Sequence, residues 1–241
     1  MYNLYVILFR GEEMVFGGFQ KLTLLDYPGK VACILFTKGC NFYCPFCHNA
    51  LLVKNVIEEQ SITEEEVLDY LEKRQGILEG VCISGGEPLL HKDLDDFLQK
   101  VKNLGYFVKL DTNGSFPEKL KSLVSLGLVD YVAMDIKNSF EKYAITSGCE
   151  KINISDIEMC IDYLLADNID YEFRTTVAEE LHSVDDIEKI SCKIKGAKKY
   201  YIQNFVDSGN ILGENLHPVS CDEIEKMKNI ALKYVKTASV R

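Results

Sequence analysis

The sequence predicts an α/β protein whose strands run parallel, and three observations carry that expectation. From Val31 onward, short strand-like runs alternate with helical patterns. Each run is followed by a helix-like segment, so successive strands are joined by crossovers, as repeated βαβ units require. Polar residues gather where the strand-like runs end. An open doubly wound sheet and a barrel or partial barrel both satisfy the pattern, and periodicity does not separate them. In either, chemistry belongs at the C-terminal ends of the strands.

The strand-like runs are Val31–Thr37, Gly80–Ser84, Phe107–Thr112, Asp130–Asp135, Tyr171–Val177 and Lys199–Phe205. They are short, apolar and mostly rich in Val, Ile, Phe or Tyr, as strands covered on both faces should be. The first expected helix opens at Thr63, with Glu66 at capping-box spacing, and runs to about Gln75. Further helices are expected over Lys92–Leu104, Pro117–Leu126, Ser155–Asp167, Val184–Lys195 and Cys221–Val235. Gly105, Gly127 and Gly196 sit where glycines that end helices belong. Residues 1–13 stand apart as an N-terminal extension or edge strand, and residues 14–241 read as a single domain with no internal repeat or linker.

Composition narrows the class. The chain has 241 residues, 47% hydrophobic and 27% charged, which is ordinary for a globular protein. A chain of this size buries about 70–75% of its unfolded surface and needs no covalent staples. The net charge of −10 argues against a nucleic-acid partner. The basic run Lys193, Lys195, Lys198 and Lys199 reads as a solvated helix end. Nine cysteines, most without regular spacing, do not make a disulfide framework. No apolar run approaches the ~20 residues of a membrane span, which argues against a membrane partner. The apolar start Met1–Phe9 is short, lacks a basic leader and has no clear cleavage site. A reducing cytoplasm is the expected compartment.

The strongest chemical signal follows the first strand. Cys40, Cys44 and Cys47 are spaced C-x3-C-x2-C. Thiolates this close can face one inorganic cluster, and three of them on four irons leave one iron without a protein ligand. An open metal position marks a catalytic site. Zinc held with His48 fits less well, because His48 directly follows Cys47 and adjacent residues rarely both reach one ion. An electron carrier would want a fourth cysteine, which only a distant residue would supply. The second strand ends in Gly85-Gly86-Glu87: the glycines admit a ligand close to the backbone, and Glu87 offers a carboxylate for an ammonium group. Asp111, Thr112, Asp135, Lys137, Arg174 and Gln203 add polar groups at later strand ends. Each alone also fits a cap or a turn.

The cysteine run, the aromatic Phe46 before its last cysteine and the Gly-Gly-Glu motif resemble the radical S-adenosylmethionine superfamily over about Phe19 to Phe205. Within it, Gly18-Phe19-Gln20-Lys21, Leu25-Asp26-Tyr27-Pro28-Gly29-Lys30 and Cys47-His48-Asn49 resemble the activating proteins of glycyl radical enzymes, above all that of anaerobic ribonucleoside-triphosphate reductase. The resemblance implies a partial (β/α)6 barrel, open on one side. It implies a [4Fe–4S] cluster on Cys40, Cys44 and Cys47, with S-adenosyl-L-methionine chelating the fourth iron. Phe46 and the backbone at His48 would lie near the adenine. Gly85, Gly86 and Glu87 would receive the amino group. Asp111, Thr112 and Asp135 would hold the carboxylate end, in some relatives through a monovalent cation. Lys137 would pair with that carboxylate, and Arg174 and Gln203 would contact ribose or carboxylate. The reduced cluster would cleave the sulfonium to a 5′-deoxyadenosyl radical, which takes a hydrogen from a glycine of the partner enzyme. An electron donor such as flavodoxin or ferredoxin would supply the cluster. A radical enzyme for a small molecule, such as 7-carboxy-7-deazaguanine synthase, and a non-enzymatic iron–sulfur or zinc module are the competing readings. Cys33, Cys82, Cys149, Cys160, Cys192 and Cys221 are expected to be core or surface residues. His91, His182 and His217 show no evident partner.

Overall fold

The computed structural model describes residues 14–53, 61–207 and 209–241. Its strands are β1 (Val15–Thr23), β2 (Ala32–Thr37), β3 (Ile62–Thr63), β4 (Gly80–Gly85), β5 (Phe107–Thr112), β6 (Tyr131–Asp135), β7 (Asp170–Val177), β8 (Tyr200–Asn204) and β9 (Ala238–Val240). They form one sheet in the order β3-β1-β2-β4-β5-β6-β7-β8-β9. From β2 to β9 every pairing is parallel, while β1 runs antiparallel to both β2 and β3.

That order decides between the two expected architectures. A doubly wound sheet reverses its strand order at a switch point. Here the order from β1 onward only advances, which is the winding of a barrel, and the end strands β3 and β9 do not pair with each other. The result is a partial barrel.

The main helices are α1 (Ala50–Val53), α2 (Glu64–Glu72), α3 (Leu94–Asn103), α4 (Pro117–Ser125), α5 (Tyr143–Ser147), α6 (Ile154–Leu165), α7 (Val184–Lys193) and α8 (Cys221–Ala231). Thr63 caps α2 with the reciprocal Glu66 bond read from the sequence. Gly105, Gly127 and Gly196 adopt left-handed conformations, with φ of 87°, 69° and 89°. One face of the sheet packs on the helices through an apolar core that joins Leu35, Ile83, Leu110, Val132 and Phe173 to Phe97, Leu120, Ile161, Ile187 and Met227.

The other face corrects the expectation of strands apolar on both sides. It carries Lys109, Asp111, Asp135, Glu172 and Arg174, and Lys109 and Glu172 are each only 1% exposed. Glu172 is answered by Tyr131 Oη at 3.0 Å and Arg241 Nη1 at 3.2 Å. A small apolar cluster of Tyr27, Ala32, Ile34, Cys82 and Tyr131 packs separately from the main core. Strands β1, β3 and β9 and helices α1 and α5 were not foreseen. Residues 1–13, expected as an extension or edge strand, lie outside the described residues. Among the described residues no helix is long and apolar enough to cross a membrane.

Candidate active site

The loop after β2 carries the three cysteines and is pinned from several elements. Gly86 N–H donates to Thr37 O and Glu87 N–H to Gly39 O, both at 2.9 Å. His91 Nε2 meets Lys38 O at 2.9 Å, and Tyr43 N–H donates to Ser147 O at 2.7 Å. Gly213 N–H donates to Pro45 O at 2.8 Å, and Asn49 Nδ2 donates to Gly85 O at 2.8 Å. Phe42 and Phe46, within the loop, are both buried and line the cavity. An irregular segment gains its shape this way from tertiary bonds rather than from a helix or strand.

The loop backbone presses closely on the end of β4. A Cβ on Gly86 would stand 1.7 Å from Gly39 O, and one on Gly85 would stand 2.3 Å from Thr37 N. Gly85 also has φ of +112°, open only to glycine at low cost. Both glycines are therefore required by the approach of the cysteine loop, besides leaving their backbone open toward the cavity.

Cys40, Cys44 and Cys47 all line one cavity of about 480 Å³, together with Phe46, His48, Gly85, Gly86, Asp111, Thr112, Asp135, Lys137, Arg174 and Gln203. Burial pushes the Cys40 thiol up to about 11 and that of Cys44 up to about 12, and raises Cys47 as well. The Lys137 ammonium pulls all three the other way. Phe42 N–H donates to Cys40 Sγ at 3.3 Å, and Asn113 Nδ2 lies 3.9 Å from the same sulfur. Three sulfur donors on one cavity wall, with N–H groups and an ammonium that favour thiolate, fit a metal–sulfur cluster.

A chain of alternating charges crosses the ends of β5, β6 and β7. Lys109 pairs with Asp111 Oδ1. Ser84 Oγ donates to Asp111 Oδ2 at 3.0 Å, and Arg174 Nη1 reaches the same oxygen at 3.2 Å. Arg174 Nε donates to Asp135 Oδ1 at 2.8 Å, and Lys137 Nζ to Asp135 Oδ2 at 3.1 Å. Burial opposes the Asp135 charge, but Arg174 and Lys137 outweigh it and hold the carboxyl well below the usual range. Asp111 is lowered in the same way, by Arg174 and Lys109 against burial. Burial also opposes the charges of Arg174 and Lys137, and their carboxylate partners hold both above their ordinary values. Three cations and two carboxylates leave one positive charge in excess. Both carboxylates are already held by side-chain cations, so the expected monovalent cation would have to displace them.

Glu87 departs from the expected role. It does not line the cavity, and its carboxylate is 1% exposed. Leu89 N–H and Thr112 Oγ1 donate to Oε1 at 3.1 and 2.8 Å, and Asn113 N–H donates to Oε2 at 2.7 Å. It caps the short 3₁₀ turn Pro88–Leu90 and ties the β4 and β5 ends together. Thr112 spends its hydroxyl on the same carboxylate. An incoming amino group would meet the backbone of Gly85 and Gly86 instead.

The histidines also gain partners. His182 is buried, accepts Ala178 N–H at Nδ1 (3.2 Å), meets Lys137 O through Nε2 (2.8 Å) and packs on Phe46. His48 lies against Phe205, and His217 pairs with Glu180 at the surface. All nine cysteines are free: Cys33, Cys82 and Cys160 are buried, Cys149 is half-buried, and Cys192 and Cys221 are exposed. Ser84, Asn113 and Asn204, polar residues at or in the predicted strands, also line the cavity, whereas sequence reasoning missed Asp26, Thr176 and Arg241. Asp26 lay inside a motif already noted.

The model of the Radical SAM superfamily matches residues 34–209. A protein of Methanocaldococcus jannaschii carrying the provisional name glycyl-radical enzyme activating enzyme is 34% identical over 93% of this chain and 94% of its own length. The pyruvate formate-lyase-activating enzyme of Clostridium pasteurianum is 25% identical over 90% of this chain and 94% of its own. Among solved structures, Streptococcus suis SuiB bound to S-adenosylmethionine superposes with a TM-score of 0.64 at 12% identity, over 86% of this chain and 51% of SuiB, a likeness of fold.

Proposed function

This chain belongs to the radical SAM superfamily, and from that premise we propose that it generates a glycyl radical on a partner enzyme, an anaerobic ribonucleoside-triphosphate reductase. The family's cofactors are a [4Fe–4S] cluster and S-adenosylmethionine. When bound, the cluster supplies the electron for reductive cleavage of the sulfonium, which arms the cofactor to remove a hydrogen atom.

The chain's own residues have the following parts in this reading. Cys40, Cys44 and Cys47 would hold the cluster, and S-adenosylmethionine would complete its coordination. The backbone of Gly85 and Gly86 receives the amino group, and Asn49, bonded to Gly85 O, fixes that carbonyl. Lys137 faces the carboxylate end, and Asp135 and Arg174 hold it in place. Phe46 and His48 flank the adenine, and Gln203 serves the ribose. His182 positions Lys137 through its carbonyl and Phe46 through ring contact. Flavodoxin or ferredoxin is the proposed electron donor.

The observation that carries the reading is the single cavity lined by the three thiols, the glycine pair Gly85 and Gly86, and the charge chain of Asp111, Asp135, Lys137 and Arg174. The names of the two relatives, each matched over 94% of its length, support the glycyl-radical part. The test uses oxygen-free protein reconstituted with iron and sulfide. With a strong reductant it should form 5′-deoxyadenosine from S-adenosylmethionine, and with a reductase subunit added it should give a glycyl radical signal by electron paramagnetic resonance. Cleavage without a radical on any glycyl radical enzyme would defeat the partner class; a radical only on a different glycyl radical enzyme would defeat the reductase.

A further inference from the structure

Asn113 stands just past β5, buried at the wall of the cavity. Its backbone is fixed: Asn113 N–H donates to the buried Glu87 Oε2 at 2.7 Å, and Gly114, at φ of 78°, turns the chain closely over Met134.

The neighbouring bonds decide which way the side-chain amide faces. Ser115 N–H lies 3.0 Å from one terminal atom, and a backbone N–H only donates, so that atom is the oxygen, Oδ1. Ser115 Oγ donates to it as well, at 2.6 Å. The other terminal atom is the nitrogen, with two hydrogens to give. It donates to Asn41 Oδ1 at 2.8 Å and stands 3.9 Å from Cys40 Sγ. Asn41 Nδ2 in turn donates to Ser115 Oγ at 2.8 Å. Asn113, Asn41 and Ser115 thus close a ring in which each side chain donates to the next. The ring joins the cysteine loop to the end of β5, and bonds linked in this way polarise one another. The amide hydrogen that the ring does not use is the one beside Cys40. That sulfur also accepts Phe42 N–H at 3.3 Å. Cys44 Sγ instead faces Ser147 O at 3.7 Å, a contact open to a thiol and closed to a thiolate.

We propose that the ring aims the second amide hydrogen of Asn113 at the Cys40 thiolate when that thiolate ligates the cluster, and thereby raises the cluster's reduction potential. Charge on the acceptor strengthens such a bond. A donor on a ligating sulfur draws electron density away from the iron and stabilises the reduced state. Asn113 is thus a positioning residue that acts through Cys40. The inference rests on the three-cysteine cluster reading and holds whichever enzyme receives the radical.

Asn113→Ala removes the donor. In the reconstituted, cluster-loaded chain a redox titration should show a reduction equilibrium constant about threefold smaller, a fall in midpoint potential of about 28 mV at about 59 mV per tenfold for one electron. One proton that exchanges in D₂O should disappear from the electron–nuclear double resonance spectrum of the reduced cluster. An unchanged potential with an unchanged proton coupling overturns the proposal, even if the variant is less stable. Ser115→Ala keeps the Asn113 amide and opens the ring. It should lower the potential by a smaller amount, and Ser115→Thr, which restores the hydroxyl, should return it to the wild-type value. Should Asn113→Ala take up no cluster, the Ser115 variants decide, and equal potentials in Ser115→Ala and wild type overturn the proposal. A wild-type chain without the cluster spectrum defeats the cysteine reading itself, and this proposal with it, before any variant is compared.

Discussion

On β5, Lys109 and Leu110 are neighbours with almost no exposure, 1% and 0%, yet they look in opposite directions. Leu110 enters the apolar core between sheet and helices, and Lys109 turns to the cavity side and pairs with Asp111. The same contrast repeats along β7, where Phe173 joins the core and Glu172 and Arg174 form the inner charges. Equal burial therefore has two unlike supports. The outer face is stabilised by removal of apolar surface from water, which is additive and tolerant of small changes in volume. The inner face is held by charges that are acceptable only while each keeps its partner.

Cysteines give the sharpest separation of the two faces. Cys44 lines the cavity, and Cys160 on α6 is fully buried in the outer core. Cys44→Ala should abolish iron incorporation and 5′-deoxyadenosine formation, whereas Cys160→Ala should keep both. Iron analysis and product assay on oxygen-free protein check this, and equal effects would erase the distinction. Next in size is Arg174→Ala. Arg174 bridges Asp111 and Asp135, and its removal leaves Asp111 with Lys109 alone and Asp135 with Lys137 alone. Losing its hydrogen bonds to two charged groups should cost about 1.5–3 kcal/mol, which urea unfolding would measure. A loss below about 1 kcal/mol would mean the inner charges are solvated like surface pairs.

What the sequence disclosed follows the same division. The outer face, the capping box at Thr63 and the left-handed glycines after helices are local patterns, and each was readable from a few neighbouring residues. The cysteine spacing was local too. The inner charges were not: Arg174 finds its partners 63 and 39 residues away, and a strand that contains it looks merely interrupted. Glu87 misled for the opposite reason. An acidic residue just before Pro88 is also a helix N-cap pattern, and that is the role its side chain fills. Strand β1 contains two glycines and several polar residues, and its strand character comes from pairing with β2.

Glu87 yields a pH test of how the inner region is linked to stability. Burial raises its pKa from 4.5 to about 7, although Asn113, Thr112 and Leu89 all donate to it. A folded-state pKa above the unfolded one means that the folded chain binds the proton more tightly. The contribution is fully present below about pH 4.5 and is lost as the pH rises through about 7. Asp111 and Asp135 act in the opposite sense, because their lowered values favour folding above the usual carboxylate range and lose that effect in acid. Glu87→Gln should therefore flatten the decline in unfolding free energy between pH 4.5 and 7 and leave the acid limb in place. A variant that declines as steeply as the wild type would show that Glu87 stays ionised throughout.

The smallest effects test the comparison most closely, because they come from adjacent residues of one strand. Ile83 is fully buried in the outer core, and Ser84 lines the cavity and donates to Asp111. Ile83→Val removes one methylene from a packed site and should cost about 0.5–1.5 kcal/mol. Ser84→Ala removes one hydrogen bond to a charged group and should cost a similar amount, about 1.5–3 kcal/mol at most. Unfolding alone would hardly tell them apart. Cofactor binding should: Ile83→Val should leave the affinity for S-adenosylmethionine unchanged, because its face never meets the cavity. Ser84→Ala should weaken it, because Asp111 loses one of the donors that fix its orientation beside Arg174. Isothermal titration of the two reconstituted variants measures this directly. Equal affinities would mean that the charge chain keeps its geometry without Ser84, and that the inner face is more tolerant than its pairing suggests.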